Sequence, residues 1–334
     1  MDLSTRYMGL NLKNPLVASA SPLTADLSGI RRLEDAGVAA VVLPSLFEEQ
    51  IHAETSYFEH LSTITSDINP DGPSYFPELD DYRVGPDKYL ELITEARKAV
   101  DIPVIASLNG MTEEGWLSYA KLMVEAGASG LELNVYFLPT DITKDGRFVE
   151  KRYLDILRRV KETVRVPVAI KLSPYFSSIG NMAVQLDKAG ADALVLFNRF
   201  YQPDIRLSEL EVLTDLKLSE ANEIRLPLLW LGVLSGQVKA SLAATSGVTS
   251  PVEVAKYLLV GADVVMATSA LLRHGPGYAK TLIEGLVSWL SERDATSVSD
   301  IRGLLSHSRV SNPQAYERAN YIKILQSYAI ADTI

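Results

Sequence analysis

Cysteine is absent from this chain of 334 residues, and histidine occurs four times. The first absence excludes disulfides, thiolate metal sites, iron–sulfur ligation and a cysteine acting as a nucleophile or base. The histidines show neither HxH nor HExxH spacing, so the sequence predicts no zinc site. They are His52, His60, His274 and His307.

Positive charge and long apolar runs are also scarce. The net charge of −10 argues against nucleic acid or an anionic membrane as the main partner and favours a small molecule or another protein. The opening MDLSTRYMGL lacks a charged-then-apolar leader, and no apolar run reaches the roughly 18 residues that a membrane span needs. We therefore expect a cytoplasmic protein.

One short phrase recurs four times, each time after a stretch with helical periodicity. Its glycine suits the left-handed residue that ends many helices. The apolar run that follows is typical of a strand buried on both faces, so each repeat predicts the second half of a βαβ unit. The repeats are AGVAAVVL at 36–43, AGASGLEL at 126–133, AGADALVL at 189–196 and VGADVVMA at 260–267.

Four further apolar segments bring the strand count to eight, which closes a parallel barrel more naturally than it extends an open sheet. We predict an α/β protein, a (β/α)8 TIM barrel in one domain over residues 1–334. PLLWLGVLSGQV at 227–238 is interpreted as the sixth crossover helix, with Pro227 at its first position. The predicted strands are 15–20, 39–45, 103–109, 130–135, 167–173, 193–198, 241–247 and 263–269.

Two connections are too long for simple loops. Residues 46–86 follow the second strand and residues 199–226 follow the sixth. Both leave the carboxyl ends of strands, where barrel enzymes place their chemistry, so both are candidates for a lid or a substrate wall. After residue 278 the chain is expected to form helices that pack outside the barrel.

Polar residues follow the predicted strands at the same end of the barrel. Three amides and a lysine, without a carboxylate or histidine, suit a polar, planar, anionic cofactor better than they suit hydrolysis. Backbone amides after strands seven and eight favour a phosphate. The strand-end residues are Ser19, Ser21, Ser45, Ser107, Asn109, Asn134, Lys171, Ser173, Asn198, Thr245, Ser246, Gly247, Thr268 and Ser269.

From residue 8 to about 276 the chain resembles the FMN-dependent dihydroorotate dehydrogenase family. The resemblance is carried by NPLVASAS, ELN, AIKLSPYF, SLAATSGVTS and ATSAL, in this order. It implies FMN as cofactor, a small-molecule substrate and a homodimer, with the two long loops as the active-site loop and extra antiparallel strands.

The resemblance also assigns roles to residues. Asn109, Asn134 and Lys171 would line the isoalloxazine ring, and Asn198 would face the cofactor or the substrate. Ser19, Ala20 and Ser21 would contact FMN through their backbone, and Ser246, Gly247, Thr268 and Ser269 would hold its phosphate.

The chain departs from the family at the residues that would transfer a proton to or from the substrate. Phe137 stands where the family has a cysteine or serine base, and Pro44 stands where it has a lysine after the second strand. The family's substrate loop is not recognisable in SYFPELDDYRVG. The expected catalytic residues are Lys171, Asn134, Tyr136 and Ser45, with Tyr175 and His52 as further candidates for proton transfer.

These observations favour an FMN-dependent oxidoreductase that moves a hydride between a small pyrimidine-like ring and flavin N5. Two alternatives stay open: a dihydroorotate dehydrogenase with a different base, and a barrel that binds FMN or another phosphorylated ligand without turnover. Schiff-base chemistry on Lys171 is a weaker fourth interpretation.

Overall fold

The computed structural model describes residues 1–48, 86–110, 113–199, 202–213 and 216–317. Within them, eight parallel strands form a closed barrel in which each strand pairs with the next and the last pairs with the first. The predicted (β/α)8 fold and all eight predicted strands are confirmed. The strands are β1 Leu16–Ala18, β2 Ala40–Phe47, β3 Val104–Asn109, β4 Gly130–Asn134, β5 Val168–Leu172, β6 Ala193–Leu196, β7 Ser241–Ala244 and β8 Val264–Ala267.

In the described ranges, seven α-helices connect successive barrel strands, and three more follow β8. The connecting helices are α1 Leu27–Asp35, α2 Pro86–Ala99, α3 Glu113–Glu125, α4 Gly146–Thr163, α5 Ile179–Lys188, α6 Arg225–Leu234 and α7 Pro251–Val260; after β8 come α8 Ser269–His274, α9 Tyr278–Ser291 and α10 Val298–Ile301. No helix in the described ranges is both long and apolar enough to cross a membrane.

Helix α6 confirms that the sixth crossover is helical, but it begins two residues earlier than predicted. A 3₁₀ helix at Ala221–Ile224 leads directly into it, so Pro227 occupies the third position of the α-helix. Proline is still tolerated there because the first-turn N–H groups have no intrahelical partner. The helix ends at Leu234, four residues before the predicted end.

The recurring glycines behave as the sequence predicts. Gly37, Gly127, Gly190 and Gly261 all have φ between 96° and 111°. Residues with a Cβ rarely adopt this conformation, so glycine ends each helix and turns the chain into the next strand.

The barrel interior is filled from its amino end by a hairpin. Thr5–Tyr7 pairs antiparallel with Leu10–Leu12. Tyr7, Met8 and Leu12 are buried in one cluster with inward-facing barrel residues such as Ile105 and Val195. A second cluster lies between the barrel and its helices. The amino end is therefore closed by side chains, and the carboxyl end is left for a site.

The insertion after β6 contains an antiparallel hairpin, Asp204–Arg206 with Glu211–Leu213, before the 3₁₀ helix. The predicted long connection is present, and the extra antiparallel strands are confirmed. The insertion predicted after β2 falls mainly on residues 49–85, which lie outside the described residues, as does His52. Helices α9 and α10 confirm helical structure after residue 278, and a single domain over the whole chain stays a prediction.

Candidate functional site

A cavity of about 260 Å³ opens at the carboxyl end of the barrel. Its walls come from the ends of β1, β5, β6, β7 and β8 and from the insertion after β6. The structure thus brings together most of the residues that the sequence assigned to a cofactor. Those lining the cavity are Ser19, Ala20, Ser21, Lys171, Asn198, Ser246, Gly247, Thr268 and Ser269.

The charged side chains that line this cavity are cations, and each pairs with a carboxylate outside the lining, Lys171 with Glu132 and Arg199 with Glu223. Lys171 and Arg199 contribute to its lining, and no aspartate or glutamate is among the described residues that do so. The chain carries a net charge of −10. Two cations with hydroxyl and amide groups favour an anionic, polar ligand.

A chain of hydrogen bonds crosses the strand ends beside the cavity. Asn198 Nδ2 donates to Asn134 Oδ1 at 2.5 Å, and Asn134 Nδ2 donates to Ser45 Oγ at 3.0 Å. Ser45 Oγ lies 2.8 Å from Ser107 Oγ. Ser45 already accepts from Asn134, so its own proton is available to Ser107 or to a ligand.

Ser45 reaches this chain because β2 is irregular. The pairing of β2 with β3 shifts between Val42 and Ser45, so three steps along β2 match two along β3. Pro44 lies in this interval and has no N–H for the ladder, which is the usual setting of proline in a strand. The bulge turns Ser45 toward the barrel interior, on the side of Ser107.

The lysine of the site is paired with a buried carboxylate. Lys171 Nζ lies 3.3 Å from Glu132 Oε1, and the Glu132 side chain is 1% exposed. The sequence predicted a site without a carboxylate. This prediction is wrong, because Glu132 lies in the barrel interior just beneath the residues at the strand ends. The period of two along a strand predicts this position, since Glu132 stands two residues before Asn134 and lies on the same face of β4.

Two tyrosines lie near the same carboxylate. Burial, and then the charge of Glu132, raise the pKa of Tyr7 well above its usual value. The hydroxyl of Tyr89 accepts from Ser107 N at 2.9 Å and donates to Ser107 O at 3.1 Å. Burial also raises the pKa of Tyr89. Both phenols are therefore neutral at physiological pH, and Tyr89 fixes the backbone of β3 beside the site.

The predicted phosphate residues are joined by Ser219, which the sequence reasoning missed. Gly247 N donates to Ser219 Oγ at 3.1 Å, and Ser219 Oγ donates to Ser269 Oγ at 2.9 Å. Arg273 donates to the carbonyl of Ser219 at 2.9 Å and to that of Leu218 at 3.2 Å. These contacts fasten the insertion after β6 to the loops after β7 and β8.

The two helix starts expected to offer free amides differ. Ser250 and Glu253 form a capping box at the start of α7, so side chains of the protein already satisfy amides there. Helix α8 has no side-chain cap at Thr268. The loop before α7 is instead distinguished by its backbone, with φ of 73° at Ser246 and 68° at Gly247.

The remaining predicted residues lie outside the cavity. Asn109 is buried at the end of β3, and Tyr136 is 37% exposed beyond β4. Phe137, at the position of the family's base, lies 6.2 Å from the ring of Phe148 and under the guanidinium of Arg152 at 4.7 Å. It lines a separate depression of about 380 Å³, together with Tyr175.

Comparison with known proteins agrees with this geometry. A family model described as dihydroorotate dehydrogenase matches residues 82–290. The catalytic subunit of dihydroorotate dehydrogenase B (NAD(+)) from Thermoplasma acidophilum is 25% identical over 314 residues, which cover 91% of this chain and 98% of that protein. The same subunit from Endomicrobium trichonymphae is 26% identical over 318 residues, covering 92% and 98%.

A second kind of relative is the NAD-dependent dihydropyrimidine dehydrogenase subunit PreA of Escherichia coli. It is 21% identical over 342 residues, which cover 92% of this chain and 78% of that protein. The family model matches more than half of this chain. The chain therefore belongs to the dihydroorotate dehydrogenase family of oxidoreductases.

Proposed function

We propose that this chain is an FMN-dependent oxidoreductase that transfers a hydride between a small pyrimidine-like ring and flavin N5. The observation that carries the proposal is the cavity at the carboxyl end of the barrel, where Lys171 and Arg199 meet amides and hydroxyls without a lining carboxylate among the described residues. This donor set fits a ligand with a phosphate and a polar heterocycle. The family of the chain supports the same cofactor.

Each part of FMN would have its own partners. Lys171, Asn134, Asn198 and Asn109 would contact the ring, and the backbone of Ser19, Ala20 and Ser21 would lie along it. The phosphate would be held by Ser246, Gly247, Thr268 and Ser269, with Ser219 positioning two of these groups. FMN, when bound, supplies a hydride acceptor at N5.

Lys171 has the charge that reduction requires. Its ammonium would stabilise the negative charge that develops on the ring when a hydride arrives. The Asn134 amide is fixed by Ser45 on one side and by Asn198 on the other. It would therefore meet the ring or the substrate without rotating, which lowers the cost of reorganisation.

The proton would move through Ser45 in this proposal. Its hydroxyl accepts from Asn134, so its own proton can point toward the substrate, and Ser107 Oγ, 2.8 Å away, can donate to the Ser45 oxygen as that proton is shared with the substrate. Phe137 has no exchangeable proton, and its ring packs toward Phe148 on α4. Tyr136 stays the second candidate because it lies two residues after Asn134, the last residue of β4.

The substrate class follows from what the relatives share by name. Dihydroorotate and the dihydropyrimidines are partly saturated pyrimidine rings, so we propose a ring of this class for this chain as well. A genuine dihydroorotate dehydrogenase with Ser45 or a tyrosine as base is the narrower alternative. It is supported by the two dihydroorotate dehydrogenase subunits whose alignments with this chain cover 98% of their length.

The test is an absorbance spectrum of the purified protein, followed by anaerobic addition of dihydroorotate and, separately, of a dihydropyrimidine. Flavin bands that bleach with either compound support the proposal and choose the substrate. If neither compound bleaches the flavin bands but a chemical reductant does, the protein binds flavin without oxidising these substrates. A protein that takes up no FMN would refute the cofactor assignment.

A further inference from the structure

One carboxylate lies buried beneath the proposed ring site and has no place in the function described so far. Glu132 faces inward on β4, one inward position deeper than Asn134. One of its oxygens lies 3.3 Å from Lys171 Nζ, and the other has no hydrogen-bond partner among the described residues. Its side chain is 1% exposed, whereas that of Lys171 is 12% exposed.

The surroundings of Glu132 offer little to offset its desolvation. On the amino side, the hydroxyl of Tyr7 is also buried and without a partner in the described part of the chain. Its register partners on the neighbouring strands are Ser107 and Ala169, and the interior positions at Ile105 and Val195 are apolar. A buried ion pair of this kind is often no more stable than apolar residues of the same volume. Packing alone therefore does not account for the pair.

We propose that Glu132 is a positioning residue that fixes the ammonium of Lys171 and offsets its charge, and so sets the reduction potential of the bound flavin. The inference rests on the proposed function, because the potential is that of FMN. It goes beyond that function by assigning a role to a residue that lines no part of the cavity.

The two members of the pair are expected to move the potential in opposite directions. With both present, the ring faces a pair of zero net charge. Glu132→Gln leaves +1 beside the ring, and the amide oxygen of glutamine can still accept from Lys171. Reduced flavin carries more negative charge than oxidised flavin, so this variant stabilises it. Lys171→Met leaves the carboxylate without its cation and disfavours reduction.

The experiment measures the midpoint potential of the FMN-loaded proteins by equilibration with a reference dye. Glu132→Gln should raise the preference for reduced flavin at least tenfold, which is about 30 mV for a two-electron couple. Lys171→Met should lower the potential by at least as much. Glu125→Gln makes the same change on the exposed face of α3 and should leave the potential unchanged.

General damage to the barrel would move both variants the same way, so opposite shifts separate an electrostatic role from a structural one. A Glu132→Gln potential equal to or below that of the wild type overturns the proposal. If a variant loads too little flavin for this measurement, the flavin-free proteins are compared by urea unfolding as a double-mutant cycle.

In that cycle the double variant should unfold at a higher urea concentration than Lys171→Met alone, because the single variant leaves a buried carboxylate unpaired. Purely additive losses would overturn the pairing. A wild-type protein that takes up no FMN refutes the proposed function instead, and the flavin-free cycle still tests the pair.

Discussion

Asn134 serves two neighbours at once, and this explains why a polar amide ends a buried strand. Its nitrogen donates to Ser45 and its oxygen accepts from Asn198. A carboxylate could not donate to Ser45, and a hydroxyl could not span both neighbours in a fixed direction. The amide therefore sets the direction of the whole chain of hydrogen bonds beside the cavity.

The packing around Gly247 requires a glycine even when no ligand is bound. Its φ is 68°, and a Cβ there would lie 2.6 Å from Ile224 Cγ2 and 2.9 Å from the carbonyl oxygen of Glu220. Gly247→Ala should lower the free energy of unfolding by about 1–3 kcal/mol and weaken FMN binding, because the loop must move. Urea unfolding and FMN titration measure the two effects.

The matched control for this substitution is Gly146→Ala. Gly146 is the first residue of α4, with no atom within 4 Å of an added Cβ. Alanine should be neutral or slightly stabilising there. Equal stability of the two variants would show that the loop after β7 adapts to a side chain, contrary to this expectation.

At the scale of elements, sequence patterns predicted the features of the fold that depend on residues close together in the chain. The Ala-Gly phrase located strands because helix termination and strand burial both act within a few residues. The strand ends were predicted less well, since β6 ends at Leu196, two residues before its predicted end, whereas β2 runs to Phe47, two residues beyond its predicted end. The ends of parallel strands depend on neighbours far away in sequence, which spacing does not reveal.

The site residues that were not predicted differ in whether a sequence pattern indicates them. Glu132 follows from the period of two along β4. Ser219 does not follow from any pattern, because its contacts with Gly247 and Ser269 span 28 and 50 residues from inside an inserted loop. The position of Ser45 depends on the bulge in β2, for which Pro44 was the signal.

The insertion after β6 is held by a side chain that can be removed without touching the cavity residues predicted from the sequence. Arg273 on α8 donates to the carbonyls of Leu218 and Ser219. Arg273→Met should loosen residues 216–224 and weaken FMN binding by roughly 1–3 kcal/mol, the range of hydrogen bonds from a charged donor. Amide hydrogen exchange over this segment and FMN titration measure the effect.

Arg293→Met is the control for that variant, since it makes the same change just after the outer helix α9, where Arg293 lies over the ring of Trp289. Global unfolding should hardly change in Arg273→Met, because surface segments open locally before the barrel does. Unchanged exchange at residues 216–224 would mean that other contacts, such as those of Ser219 and Arg199, suffice to fasten the insertion.

At the scale of the whole molecule, an acidic protein lines one end of its barrel with cations whose carboxylate partners lie outside the cavity wall. The net charge is −10. Lys171 and Arg199 line the cavity, and their carboxylate partners, Glu132 and Glu223, lie outside its lining. Beneath it the barrel is closed by the hairpin that carries Tyr7. The interior therefore passes from apolar packing to a buried ion pair and then to a mouth lined by hydroxyls, an amide and two paired cations.

Buried tyrosines give the whole fold a dependence on alkaline pH. Burial raises the pKa values of Tyr7, Tyr89, Tyr153 and Tyr257. Above pH ~10 the unfolded chain loses these protons while the folded protein keeps them. The unfolded state then binds fewer protons, so the free energy of unfolding falls as pH rises, by up to about 1.4 kcal/mol per pH unit for each tyrosine.

Tyr7→Phe isolates one part of this dependence. The lost hydroxyl has no partner among the described residues, so stability at pH 7 should be equal to or above that of the wild type. Above pH ~10 the variant should lose stability less steeply, by up to about 1.4 kcal/mol per pH unit. Urea unfolding between pH 7 and 11 tests both statements. Parallel curves above pH ~10 would mean that Tyr7 ionises equally in both states, and the hairpin would then leave its hydroxyl in contact with water.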